Sequence, residues 1–178
     1  TQKPQCMIDS ITEYYENHNA NIHRGIHTLT EESSSMYENT RIQVAKMLNN
    51  IFLENISNEN LIFTKNATES LNLCANLLSK KLSKGDSIAI SVSEHHSNLL
   101  PWIEIAKSLN LNIVWIELND QLQPDIEDFK AKIQTDKSIK ILSLTGASNV
   151  TGAISEIDKF GQICKENNII FSLDAAQF

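Results

Sequence analysis

The sequence predicts an α/β domain built on a largely parallel sheet with flanking helices. Three observations point there. From Asn60 onward short apolar runs alternate with amphipathic stretches, the connections between them are short, and the last run, 169–173, is rich in β-branched and aromatic residues. Repeated strand–helix alternation implies right-handed βαβ units. A short, predominantly apolar run of that kind following a helix-patterned segment reads as an interior parallel strand. A length of 178 residues fits one domain with an ample core.

In chain order, residues 6–15 have the mixed pattern of a short amphipathic helix, and 16–25 are polar and turn-prone. His23 and Arg24 on that loop are candidates to face a site, or simply solvated. Thr30 with Glu31 and Glu32 forms a plausible N-cap and acidic first turn for a second helix. The apolar positions Met36, Val44, Met47, Leu48 and Ile51 carry it to about Phe52 as a cover or subunit contact. Beyond it the pattern gives strands over 61–64, 87–92, 112–118, 139–144 and 169–173. The helices fall at about 67–82, 98–109, 125–134 and 156–167. The chain thus divides into N-terminal helices (about 1–55) and a sheet domain (about 56–178).

Composition excludes several classes of function. A net charge of −7 and a pI near 5.2 leave no concentrated basic face for nucleic acid or an anionic membrane. Three cysteines, Cys6, Cys74 and Cys164, lack metal-ligand spacing and sit in helix-like contexts, so buried thiols in a reducing, cytoplasmic setting are expected, with no metal. No apolar segment has bilayer-spanning length and no signal-peptide core is present. Thr1 stands where a methionine would open a chain, so the sequence is expected to start inside a longer protein.

In open α/β sheets ligands bind beyond the carboxyl ends of the strands. After 61–64 come Lys65, Asn66, Ala67, Thr68 and Glu69, leading straight into a helix whose N-terminus favours an anion such as phosphate, with the Thr68 hydroxyl as a further donor. The alternative is that Thr68 and Glu69 only cap the helix. Neither G-x-G-x-x-G nor G-x-x-x-x-G-K-[ST] occurs, which weighs against a dinucleotide or nucleoside triphosphate. After 87–92 come Glu94, His95 and His96. His95 there can lay its ring on a planar ligand and exchange protons near neutral pH, or be a hydrogen-bonded surface histidine. After 139–144, Asn149 offers an amide suited to a phenolic oxygen or a carboxylate, or else closes an Asx-turn. Asp174 ends the last run, as a ligand contact or a helix N-cap. A phosphate cradle, a stackable imidazole, a bifunctional amide and an acid on successive strand ends are the parts that pyridoxal phosphate requires.

The segments 21–29, 66–72, 93–98 with Pro101 and Trp102, 148–152 and 173–177 resemble, in order, those of the class V aminotransferase family, and within it the cysteine desulfurases of the SufS type. The resemblance implies the major part of the large cofactor domain of a fold type I (aspartate-aminotransferase-like) enzyme that binds pyridoxal 5'-phosphate. It implies that Ala67 and Thr68 hold the phosphate, His95 stacks on the pyridine ring and Asp174 pairs with the ring nitrogen. Gln177 and Asn149 would meet the phenolic oxygen and the substrate side, and His23 and Arg24 would lie near the substrate entrance. His95 and Asp174 are the catalytic pair on this reading. The implied reaction turns L-cysteine into alanine plus an enzyme-bound persulfide for iron–sulfur cluster assembly, in a homodimer with a sulfur-acceptor protein.

The sequence departs from that pattern in places. Asn66 and Ala67 stand where the family has glycine and threonine, so one phosphate contact falls to backbone N–H alone. Gly146 stands where members often have histidine. The Schiff-base lysine, the loop cysteine that takes the sulfur, the substrate-gripping arginine and the small domain all fall beyond Phe178, so the 178 residues alone are expected to be inactive. Lys65 is expected to face the phosphate. A non-catalytic α/β segment, a related aminotransferase and a selenocysteine lyase are the competing readings.

Overall fold

The structure is a computed structural model that describes residues 2–52 and 55–178; Thr1 lies outside the described residues. The chain forms two compact units, Thr1–Phe63 and Thr64–Phe178.

In the first unit, α1 (Gln5–Glu13) starts after Pro4, whose carbonyl accepts the Met7 N–H, and runs into a π-helical turn, Tyr14–His18. The helix α2 spans Thr28–Phe52. It opens earlier than the proposed cap at Thr30, because the His27 carbonyl already accepts the N–H groups of Thr30 and Glu31. Thr30 is buried within the first turn, its Oγ1 3.1 Å from His27 Nε2, and so does not serve as the cap. Gly25 permits this packing: a Cβ there would fall 2.7 Å from Thr30 Oγ1.

The strand expected at 61–64 is absent. Arg41 Nη2 donates to the Asn58 and Leu61 carbonyls, at 2.6 and 2.9 Å, and its guanidinium lies over the rings of Tyr37 and Phe63. The segment is therefore tied to α2 by a side chain, not paired in a ladder. Cys6 is exposed on α1, which corrects the expectation of buried thiols throughout; Cys74 is half-buried and Cys164 buried.

The second unit contains α3 (Ala67–Ser79), β1 (Ser87–Ser91), α4 (His96–Leu109), β2 (Asn112–Ile116), α5 (Ile126–Thr135), β3 (Ile139–Thr145), α6 (Ile157–Glu166) and β4 (Ile170–Asp174). The sheet order is β2-β1-β3-β4, every pair parallel. Alternate residues of a strand face opposite sides. Ile88, Ile90 and Ile141 accordingly pack with Ala75, Trp102 and Ile105 of α3 and α4. Ala89, Leu142 and Leu144 pack on the other side with Phe129 and Phe160 of α5 and α6, whose rings stand 5.6 Å apart. Burial on both sides is why Ile88, Ala89 and Ile90 of β1, and Ile141 and Leu142 of β3, are apolar at successive positions.

Left-handed residues after the helices turn the chain back into the sheet. Asn110 (φ 54) follows α4 and Asn168 (φ 56) follows α6, and the Leu111 and Ile169 N–H groups return to the Ala106 and Cys164 carbonyls. β4 pairs with β3, and its Ile170, Phe171 and Leu173 are half-buried among the described residues. Among the described residues no helix is long and apolar enough to cross a membrane.

Candidate functional site

The carboxyl ends of β1, β3 and β4 and the start of α3 surround a cavity of about 280 Å³. Ala67, Thr68, His95, Asn149, Asp174 and Gln177, the six residues the sequence offered for a cofactor, all line it. His23 and Arg24 belong to the first unit. His23, in the left-handed region at φ 58, pairs its Nε2 with Glu38 at 3.2 Å.

At the start of α3, Asn66 is the cap. Its Oδ1 accepts the Glu69 N–H at 2.9 Å and its carbonyl accepts that of Ser70. Glu69 turns back to accept the Lys65 N–H at 2.8 Å. Capping thus uses the N–H groups of residues 69 and 70. Those of Ala67 and Thr68, and the Thr68 hydroxyl, have no hydrogen-bond acceptor among the described residues. Lys65 does not line the cavity: its ammonium is exposed, 3.9 Å from Glu69, so the expectation that it faces an anion there is corrected.

Asp174 is 4% exposed. Its Oδ1 accepts the Ala176 N–H at 3.0 Å, and its other oxygen has no protein donor among the described residues. The acid lines the cavity with acceptor capacity to spare. Asn149 lies in a turn that Ser148 closes, the Ser148 Oγ accepting the N–H groups of Val150 and Thr151 at 3.3 Å. The turn needs nothing from the Asn149 amide. Gly146 is buried under the last residue: a Cβ at that position would meet Phe178 side-chain atoms at 3.1 Å.

Glu94, to which the sequence reading gave no role, anchors the floor of this site. Its Oε1 accepts the Thr145 N–H at 2.8 Å and its Oε2 accepts Asn98 Nδ2 at 2.6 Å. Behind it, Asn98 Oδ1 accepts the Ser143 hydroxyl at 2.9 Å, and Ser143 Oγ accepts Trp102 Nε1 at 2.8 Å. An indole N–H and a peptide N–H can only donate, so the direction of the whole chain is fixed, with both Glu94 oxygens as acceptors. Burial, with a contribution from the Asp174 charge, nevertheless pushes the Glu94 carboxyl up to about 7, against the two hydrogen bonds that favour its charged form. The one sequence signal for this role is the spacing of Glu94 and Asn98, four apart and so adjacent on a helical turn.

The donor set tests which ligand fits. Free N–H groups and a hydroxyl at one side suit a phosphate, a buried carboxylate across the cavity suits a protonated ring nitrogen, and an amide and an imidazole between them suit a flat polar ring. The residues present fit pyridoxal 5'-phosphate.

A parallel sheet with such a cavity at its strand ends defines an α/β ligand-binding domain. The family described as aminotransferase class V matches residues 1–178, and the chain belongs to that family. It is 40% identical over 174 residues to a probable cysteine desulfurase of Pyrococcus abyssi, covering 98% of this chain and 41% of the relative. It is 38% identical to a probable cysteine desulfurase of Vibrio cholerae, covering 99% and 42%. The apo structure of the cysteine desulfurase from Thermococcus onnurineus NA1 superposes with a TM-score of 0.89 at 36% identity, covering 98% of this chain and 42% of that one. The chain thus spans about two-fifths of the length of these relatives.

Proposed function

We propose that the complete protein is a pyridoxal 5'-phosphate-dependent cysteine desulfurase that converts L-cysteine to alanine and an enzyme-bound persulfide. The observation that carries this reading is the pairing, in one cavity, of uncommitted N–H groups at Ala67 and Thr68 with the spare oxygen of buried Asp174. The cavity offers an anion site and a cation site at once. Relatives named as cysteine desulfurases supply the substrate.

Bound there, the cofactor supplies an electron sink for the substrate's α-carbon. Ala67 and Thr68 hold its phosphate through two N–H groups and one hydroxyl. Asp174 keeps the ring nitrogen protonated, since a nearby opposite charge favours the charged form. His95 lies against the ring face, and Gln177 and Asn149 meet the phenolic oxygen and the substrate side. His23 and Arg24 serve the substrate entrance across a homodimer interface. The persulfide passes to an acceptor protein for iron–sulfur cluster assembly in the cytoplasm. The test is sulfide release from L-cysteine by the complete protein with and without the cofactor. Cofactor-dependent release supports the reading, and transamination of other amino acids without sulfide release would replace it with that of a related aminotransferase.

A further inference from the structure

His95 caps α4, and the manner of its capping decides where its ring holds a proton. The backbone N–H of Ser97 points at Nδ1 at 3.2 Å, and the Ser97 Oγ stands 2.7 Å from the same nitrogen. A peptide N–H is a donor with no alternative role, and in a neutral imidazole one nitrogen donates while the other accepts. Nδ1 is therefore the accepting nitrogen. A proton on Nδ1 would set two donors against each other at this distance. The Ser97 hydroxyl, facing a lone pair, donates as well.

We propose that Ser97 is a positioning residue that fixes His95 as the Nε2–H tautomer and presents a hydrogen-bond donor to whatever occupies the strand-end cavity. Nε2 has no hydrogen-bond partner among the described residues, and His95 lines the cavity together with Ser97. The ring thus meets a bound molecule as a donor at Nε2; to accept a proton there in the neutral form, it would have to surrender its bond to Ser97. Its action on an oxygen of cofactor or substrate rests on the proposed function, whereas the tautomer itself does not.

The assignment is read by nitrogen NMR of the complete protein labelled with 15N-histidine, without cofactor, at a pH above the titration range of histidine. The His95 signals are identified by their loss in His95→Gln. The expected result is a bare Nδ1 and a proton-bearing Nε2. Ser97→Pro removes both donors to Nδ1, the N–H and the hydroxyl, and loss of at least one ordinary hydrogen bond should shift the tautomer ratio toward Nδ1–H by roughly three- to tenfold or more. Ser97→Ala keeps the N–H and should shift it less. A wild-type ring with its proton on Nδ1 overturns the inference, as does an unchanged ratio in a Ser97→Pro variant that circular dichroism shows to be folded. If that variant does not fold, the wild-type ring alone decides. None of these readings involves turnover, so failure here is distinct from failure of the desulfurase reading.

Discussion

Glu94 holds the N–H of Thr145, and Thr145 is the residue that pairs with Asp174 across the β3–β4 ladder. Two acids thus meet at one strand end. Asp174 presents an oxygen to the cavity, while Glu94 ties the loop bearing His95 to the strand beside it. The arrangement makes Glu94 both a staple and a neighbouring charge.

Stability should therefore depend on pH through Glu94. Its folded-state value of about 7 lies above the ordinary 4.5, so the folded protein binds this proton more tightly than the unfolded chain. Between those values the folded state carries more protons, and the slope of stability with pH is negative. This contribution is fully present below about 4.5 and is lost as pH rises to about 7. Melting curves of the cofactor-free complete protein should show the wild type losing ground to Glu94→Gln across that window. Parallel curves would show that Glu94 does not titrate there.

Ser143→Ala should destabilise the protein by about 1–3 kcal/mol, because it strands Trp102 Nε1–H and Asn98 Oδ1 in the interior without partners. Denaturant unfolding measures this. A change below about 0.5 kcal/mol, the scale of ordinary surface substitutions, would mean that the network relaxes around the loss.

The start of α3 makes a paired prediction. Thr68→Ala removes a hydroxyl donor to a charged group, which is typically about 1.5–3 kcal/mol, so cofactor affinity should fall roughly ten- to a hundredfold. Lys65→Ala should change it little, since that ammonium is exposed and pairs with Glu69. Equilibrium titration with pyridoxal 5'-phosphate compares them. A larger loss from Lys65→Ala would return the lysine to the phosphate.

Much of the second unit was legible because burial on both sheet faces leaves a local mark: β1 and β3 are apolar at successive positions. The same cue misled at 61–64, where Ile62 and Phe63 are apolar yet exposed, and where Arg41, twenty residues before Leu61, takes the carbonyls. β4 was legible as a strand but its place beside β3 was not, since strand order depends on which strands pair. His95, Asn149 and Asp174, which line the cavity, could be found as polar residues within five residues of the ends of apolar runs. Glu94 could not be given a role in that way, because its partner Thr145 lies 51 residues away in sequence. The cap at Asn66 was hidden by neighbours of similar capping preference, Thr68 among them.

The central claim is that the cavity holds pyridoxal 5'-phosphate between the start of α3 and Asp174. A crystal structure of the complete protein with that cofactor tests it most directly. The account predicts the phosphate within hydrogen-bond reach, about 3 Å, of the Thr68 hydroxyl and the N–H groups of Ala67 and Thr68, with the ring nitrogen on the free oxygen of Asp174. A phosphate seated elsewhere, or a ring nitrogen turned away from Asp174, would contradict it.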